Sequence, residues 1–252
     1  MKKIIYGSLF LALVGIGIVG CKKETATNSS IRFSNPYDYI GKKHNEVLNL
    51  CLNDKSYYNL SNFEQHKWIN NKMLSGNGSS GEFNLLSDEL LHKFDNERKI
   101  WKDNDDLLYF YDSIVLVQPK STHFYLNESK NICCKYQNDV SLIEFKNELS
   151  KLENKAFIDN RLTKNEKFLV LGSLSLIKNS YEFWKMKENE VNITKKGKLG
   201  RWLADAGGFI VGAGSVMFFG YYTNTLTNEV YTEAGAAGLG LATSSSAAVG
   251  NE

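Results

Sequence analysis

Few residues in this chain are of a type and spacing that could do chemistry. The four histidines, His44, His66, His92 and His123, are scattered, and none falls in an H-E-x-x-H or comparable metal-binding pattern. His44 lies with Ile40, Val47, Leu48 and Cys51 on the apolar face of an expected helix. A hydrogen-bonded core histidine is the expected role there, rather than a ligand. Asp103, Asp105 and Asp106 cluster without the central glycine and terminal glutamate of a calcium loop, so a solvated turn is expected. Gly78-Ser79-Ser80-Gly81 fits no G-x-S-x-G register and follows no evident strand. No glycine loop matches a Walker or Rossmann fingerprint. The expectation is a non-enzyme without metal or cofactor. An envelope hydrolase stands as a further alternative, because triads assemble from distant residues.

Cysteine chemistry is more telling. Lys2 and Lys3 precede an uncharged, mostly apolar run from Ile4 to Val19, which ends in Ile18-Val19-Gly20-Cys21. A positive start, an apolar core and a small residue at the cut make a secretory signal. The run is shorter than the roughly 20 apolar residues of a spanning helix. Its last four residues resemble the lipobox read by lipoprotein signal peptidase. That resemblance implies a diacylglyceryl thioether on Cys21, with residues 1–20 removed. Two or more acyl chains make a stable anchor where one holds only marginally. The membrane is thus the expected partner, through the lipid on Cys21, and the cell envelope the expected location. Lys22-Lys23-Glu24 and the polar residues to about 34 read as a tether.

The other three cysteines, Cys51, Cys133 and Cys134, are odd in number, so they form no closed disulfide framework. One bond from Cys51 to either neighbour, or buried free thiols, remain open. Removing residues 1–20 takes away two lysines and no acid, which brings the formal charge from +2 to zero. A neutral chain argues against nucleic acid as a partner.

The positioning elements read as helices. Asn35-Pro36-Tyr37-Asp38 is a turn signal, and a helix over 39–53 follows. Ser61 and Glu64 have capping-box spacing, as do Thr163 and Glu166. The first opens a helix carrying Phe63, His66, Ile69 and Met73; the second opens one that runs to about Lys187. Gly76–Gly81 reads as a loop, Ser87 as a cap for a helix through Trp101, and Asp139 as a cap before Leu142. Residues 107–117 are compatible with a buried strand or a buried helix, and 121–138 give no clear pattern. The expected fold is all-α, an irregular bundle over 35–198, followed by a glycine-rich helical hairpin over 199–252.

In that hairpin, small residues lie on a four-residue lattice: Ala204, Gly208, Gly212 and Gly220, broken only by Val216, then Ala234, Gly238, Ala242, Ser246 and Gly250. Residues four apart share a helix face, and small ones allow two backbones to approach closely. Lys195, Lys196, Lys198, Arg201 and Trp202 precede the first stretch. Three destinations are open: a hairpin in the core of the fold, one that inserts into a membrane, or a loose tail.

Asn35-Pro36-Tyr37-Asp38-Tyr39-Ile40-Gly41 with His44-Asn45 resembles a motif near the start of a family of uncharacterised Bacteroidota lipoproteins. Ser180-Tyr181-x-x-Trp184 and Ala204-Asp205-Ala206-Gly207-Gly208 are similar to later segments of that family. The resemblance implies an origin in that phylum and carries no activity with it; the outer membrane is the expected location of the lipid-anchored chain. Glycine-rich ends of this kind also look like those of small bacteriocin precursors. Two functions are therefore expected: an envelope binding or surface protein with an unidentified protein partner, or a membrane-active, toxin-like protein that inserts its hairpin.

Overall fold

The structure is a computed structural model that describes residues 33–74, 88, 107–137, 141–187, 197–222 and 228–249. The signal, Cys21, most of the tether, the Gly76–Gly81 loop, the helix expected after Ser87, Asp103 to Asp106 and Asp139 lie outside these residues. The chain divides into two compact units, Met1–Phe33 and Ser34–Glu252. Only Phe33 of the first is among the described residues. The glycine-rich hairpin belongs to the second unit together with the helices before it.

Among the described residues the second unit is all-α, as the periodicities predict. Its helices are α1 (Asp38–Asn53), α2 (Asn62–Leu74), α3 (Leu107–Leu116), α4 (Lys120–Tyr136), α5 (Leu142–Ile158), α6 (Lys164–Lys187), α7 (Gly197–Tyr222) and α8 (Asn228–Val249). Both capping boxes are made. The Ser61 amide donates to Glu64 Oε2 at 2.9 Å, and the Glu64 amide returns a bond to Ser61 Oγ at 3.3 Å. Thr163 and Glu166 repeat the exchange at the start of α6, at 2.6 and 3.3 Å. These bonds satisfy amides that the first helical turn leaves without intrahelical partners. The ambiguous 107–117 stretch is helix α3, and the unassigned 121–138 stretch lies within α4 apart from its last residues.

Helix α6 is the axis of the unit. Every residue from Phe168 to Ile177 is buried, and a helix that is buried all round is an interior element. It packs against α1, α4, α5 and α7, while α7 in turn packs on α8 and α3. Small residues set the closest approaches. A Cβ on Gly41 would lie 2.4 Å from the Ser175 carbonyl oxygen, so α1 crosses α6 at that glycine. Phe209 of α7 fills two glycine gaps at once: a Cβ on Gly172 of α6 or on Gly238 of α8 would sit 2.5 Å from its ring.

The hairpin itself closes backbone on backbone. A Cβ on Gly208 would be 2.8 Å from Ala242 Cα, and one on Gly212 would be 2.4 Å from the Ala237 carbonyl oxygen. Residues 201–210 and 234–243 are buried throughout. Ala204, Ala234 and Ala242 are fully buried, and Gly220 lies in α7 where only the backbone is described. Of the described helices, none is long and apolar enough to cross a membrane.

Two glycines two residues apart give opposite expectations. Gly212→Ala forces a methyl into backbone that cannot swing aside, so it should cost about 1–3 kcal/mol, as overpacking does. Gly214 has only the end of Gln118 nearby, at 3.7 Å. Gly214→Ala should leave stability unchanged or raise it by up to about 1 kcal/mol through helix propensity. Urea denaturation of the two variants measures both.

Candidate functional site

A cluster of polar side chains is buried where α1, α6 and α7 meet. Asp205 lies on α7 between Trp202 and Phe209, both fully enclosed. Its carboxylate is buried with 0% exposure, as are the side chains of its two partners, His44 and Ser180. His44 Nε2 is 3.0 Å from Asp205 Oδ1, and the Ser180 hydroxyl donates to Asp205 Oδ2. On the far side of the imidazole, Nδ1 is 3.2 Å from Asn45 Oδ1. The Asn45 amide is oriented by its own donation to the Asn179 carbonyl at 2.8 Å. A buried carboxylate is tolerated when charge-assisted bonds replace its water, and these partners supply them.

Arg201 lies one turn before Asp205 and is also enclosed. Its guanidinium sits 3.9 Å above the Trp184 ring, a cation–π arrangement suited to a flat, weakly hydrated cation. Burial pushes the Arg201 pKa down, and the negative charge of Asp205 opposes that shift. Trp202 packs 4.7 Å from Tyr181, which stacks on Phe145 at 4.0 Å. Aromatic rings thus wall one side of the ionic cluster.

A second polar layer closes the entrance to α1. Asn35 donates to Glu153 Oε1 at 2.7 Å and to the Leu171 carbonyl at 2.9 Å. Its own Oδ1 accepts the Tyr37 amide at 2.9 Å, which makes the turn read from Asn35-Pro36. Lys178 bridges Glu153, at 3.0 Å, and Asp38, at 2.9 Å. Burial raises the Glu153 carboxyl against the pull of Lys178 and Asn35. Burial alone would lower the Lys178 ammonium, but Glu153 and Asp38 outweigh it and the net shift is upward.

Ser180, Asp205 and His44 are the residue types of a nucleophilic triad in the wrong order. Such a triad needs the imidazole between hydroxyl and carboxylate. Here the carboxylate stands in the middle, and all three groups are sealed from solvent. The arrangement can pin three helices together; it cannot present a nucleophile to a substrate. Among the described residues no three His, Cys, Asp or Glu side chains gather as a metal site. His66 is buried on α2, and His123 Nε2 bonds the Gln118 carbonyl at 2.8 Å; His92 lies outside the described residues.

Three segments distant in sequence, at 35–45, 180–184 and 204–208, converge here. Asn35, Asp38, Gly41, His44 and Asn45 come from the first, Ser180, Tyr181 and Trp184 from the second, and Asp205 from the third. His44 is the hydrogen-bonded core histidine expected from its place on the apolar face. Asp205 as its partner went unread in the sequence. The available signal was a lone acid among Leu203, Ala204 and Ala206, one turn after Arg201.

Fold and site together define a class: an all-α bundle whose interior hairpin is locked by a buried Asp–His–Ser cluster. No protein-family model, curated protein or solved structure matches the chain.

Cys51, Cys133 and Cys134 are all free thiols. Cys51 and Cys133 are fully buried; burial raises the pKa of Cys133 strongly and that of half-buried Cys134 less. In a chain starting after Cys21, a thiol reagent at neutral pH should modify Cys134 alone, and slowly, with two more thiols reacting on denaturation. Rapid modification of two thiols in the folded protein would contradict this burial. Separately, His44→Ala or Asp205→Ala should each destabilise by about 3–5 kcal/mol, the usual cost of breaking a buried pair. The double variant should cost clearly less than the sum, because both changes remove one interaction. Additive losses in urea titrations would show that the pair is not coupled.

Proposed function

We propose that the chain is a lipid-anchored cell-envelope protein, held in the outer membrane by acyl chains on Cys21. Its body stays in water and works as a binding or surface protein rather than by catalysis. The observation that carries this reading is Ile18-Val19-Gly20-Cys21, placed after Lys2-Lys3 and an uncharged run and before a polar tether. Thirteen residues after the cysteine begins a single compact unit, Ser34–Glu252. The sealed Ser180–Asp205–His44 cluster supports a structural use for the residues that most resemble catalytic machinery. With the signal removed the chain has zero formal charge, which gives no electrostatic drive toward nucleic acid.

A toxin-like insertion of the hairpin is the less favoured alternative. It would drag Arg201 from Trp184 and Asp205 from His44 and Ser180, and it would empty the gap at Gly172 that Phe209 fills. Charged groups moved into hydrocarbon are costly, and the small residues already have backbone partners within the unit.

Metabolic labelling with a palmitate analogue tests the anchor. The wild-type chain should take up label and fractionate with membranes, and Cys21→Ser should do neither. Equal labelling and membrane association of the Cys21→Ser chain would refute the assignment.

A further inference from the structure

The second unit carries a basic and aromatic face around the turn that joins α5 to α6. Lys120 and Phe124 reach it from α4, Lys155, Phe157 and Ile158 from the end of α5, Arg161 from the turn, and Lys164 and Lys167 from the start of α6. All are exposed except Lys167, which is half-buried. Phe124, Phe157 and Ile158 are 48%, 44% and 64% exposed beside these cations. The lysines lie over the rings: Lys155 Nζ is 4.1 Å from the Phe124 centroid and Lys167 Nζ is 5.8 Å from that of Phe157.

Two open grooves flank the turn. One, of about 350 Å³, is bounded by Lys120, Ser121, Phe124, Lys155 and Arg161. The other, of about 240 Å³, lies between Pro36 and Tyr37 on one side and Phe157, Lys164 and Lys167 on the other. The acids nearest the turn are already engaged. Asp159 is gripped by Arg161 at 2.7 Å and by the Tyr125 hydroxyl at 2.7 Å. Glu166 accepts from the Ser121 hydroxyl and from the Thr163 amide. Arg161 is paired with Asp159, so Lys120, Lys155, Lys164 and Lys167 are left around the turn against Glu166, a local positive excess in a chain whose formal charge without residues 1–20 is zero.

Pro36, two residues after the start of the second unit, lines the second groove. Twelve residues, 22–33, lie between Cys21 and Ser34, and at full extension the segment spans at most about 45 Å. Attraction between exposed charges fades beyond roughly 8–10 Å in physiological salt. A lipid on Cys21 would hold the unit close enough for random approaches to bring the face within that range.

We propose that this face docks on the membrane surface, its cations on anionic lipid headgroups and Phe124, Phe157 and Ile158 at headgroup depth. Lysines and aromatic rings are the side chains that suit that interface. The inference rests on the lipid-anchor reading, because the tether supplies the proximity. It assigns the anchored protein a fixed orientation, with α5–α6 toward the bilayer and the surface away from that turn toward partners.

The test separates docking from anchoring. Residues 22–252 carry an N-terminal hexahistidine tag in place of Cys21 and are held on vesicles by a nickel-chelating lipid. The vesicles are phosphatidylcholine alone or with about a third phosphatidylglycerol. In a Cys134→Ser background, an environment-sensitive fluorophore is placed at Ile158→Cys or, as a control, at Ile143→Cys, which is equally exposed at the other end of α5. The expected result is at least a twofold rise at position 158 on anionic vesicles only, no change at 143, and loss of the rise in Lys120→Glu/Lys155→Glu or in high salt. No change at 158 with capture complete, or an equal rise on neutral vesicles, would overturn the proposal. Capture through the tag does not depend on Cys21, so either outcome leaves the palmitate experiment to judge the anchor.

Discussion

A carboxylate with no access to water must be held by its neighbours or not be charged, and Asp205 meets that condition with one group from each of two other helices. His44 comes from α1 and Ser180 from α6, so the bonds to Asp205 tie the first, sixth and seventh helices at one point. Arg201 adds a buried cation one turn away and rests on Trp184 instead of on a second acid. Charge pairs of this kind contribute little net stability over a well-packed apolar replacement. Their effect is on geometry: the bonds from His44 and Ser180 to Asp205 are made in one register of α7 against α1 and α6, and a shifted register breaks them in the core.

Packing around the cluster depends on the same register. Phe209 is one turn beyond Asp205 on α7, and its ring enters the gaps at Gly172 and Gly238. The polar pin on α6 and the glycine gap on α6 thus bind the same stretch of α7, and the gap on α8 brings in the other arm of the hairpin. Gly208 and Gly212 then let α7 and α8 close backbone to backbone. Glycines cost helix stability, about 0.8–1 kcal/mol each relative to alanine, and the close approach they permit offsets it through dispersion contacts over the length of the hairpin.

The all-α class and several helix starts were legible because they rest on local signals. Ser61–Glu64 and Thr163–Glu166 are read from four residues each, and α1 from an apolar period. Helix α3 was not legible, since a short unbroken apolar run satisfies a strand and a helix equally. Helix α4 was hidden for a different reason. Its inward positions are Thr122, Tyr125, Leu126, Ser129, Ile132, Cys133 and Tyr136, spaced as a helix but with only two aliphatic residues among polar and mixed ones, which blurs the apolar stripe. For the hairpin, the four-residue lattice was visible and its destination was not. Whether small residues pack on another soluble helix or in a bilayer is decided by the partner, and the partner is remote in sequence. The Asp205–His44 pair spans 161 positions, a distance at which no single-sequence pattern operates.

Helices α7 and α8 bury their residues against α6, α1, α2 and α3, so the hairpin is an inner part of the fold and not an appendage. Thermal and urea unfolding of a chain that begins at Ser30 and ends at Lys196 tests that claim most directly, beside the same chain continued to Glu252. The account predicts one cooperative transition for the longer chain and none for the shorter, which should bind a hydrophobic dye and lack fixed tertiary structure. A truncated chain that unfolds cooperatively, at a midpoint close to that of the longer one, would contradict it.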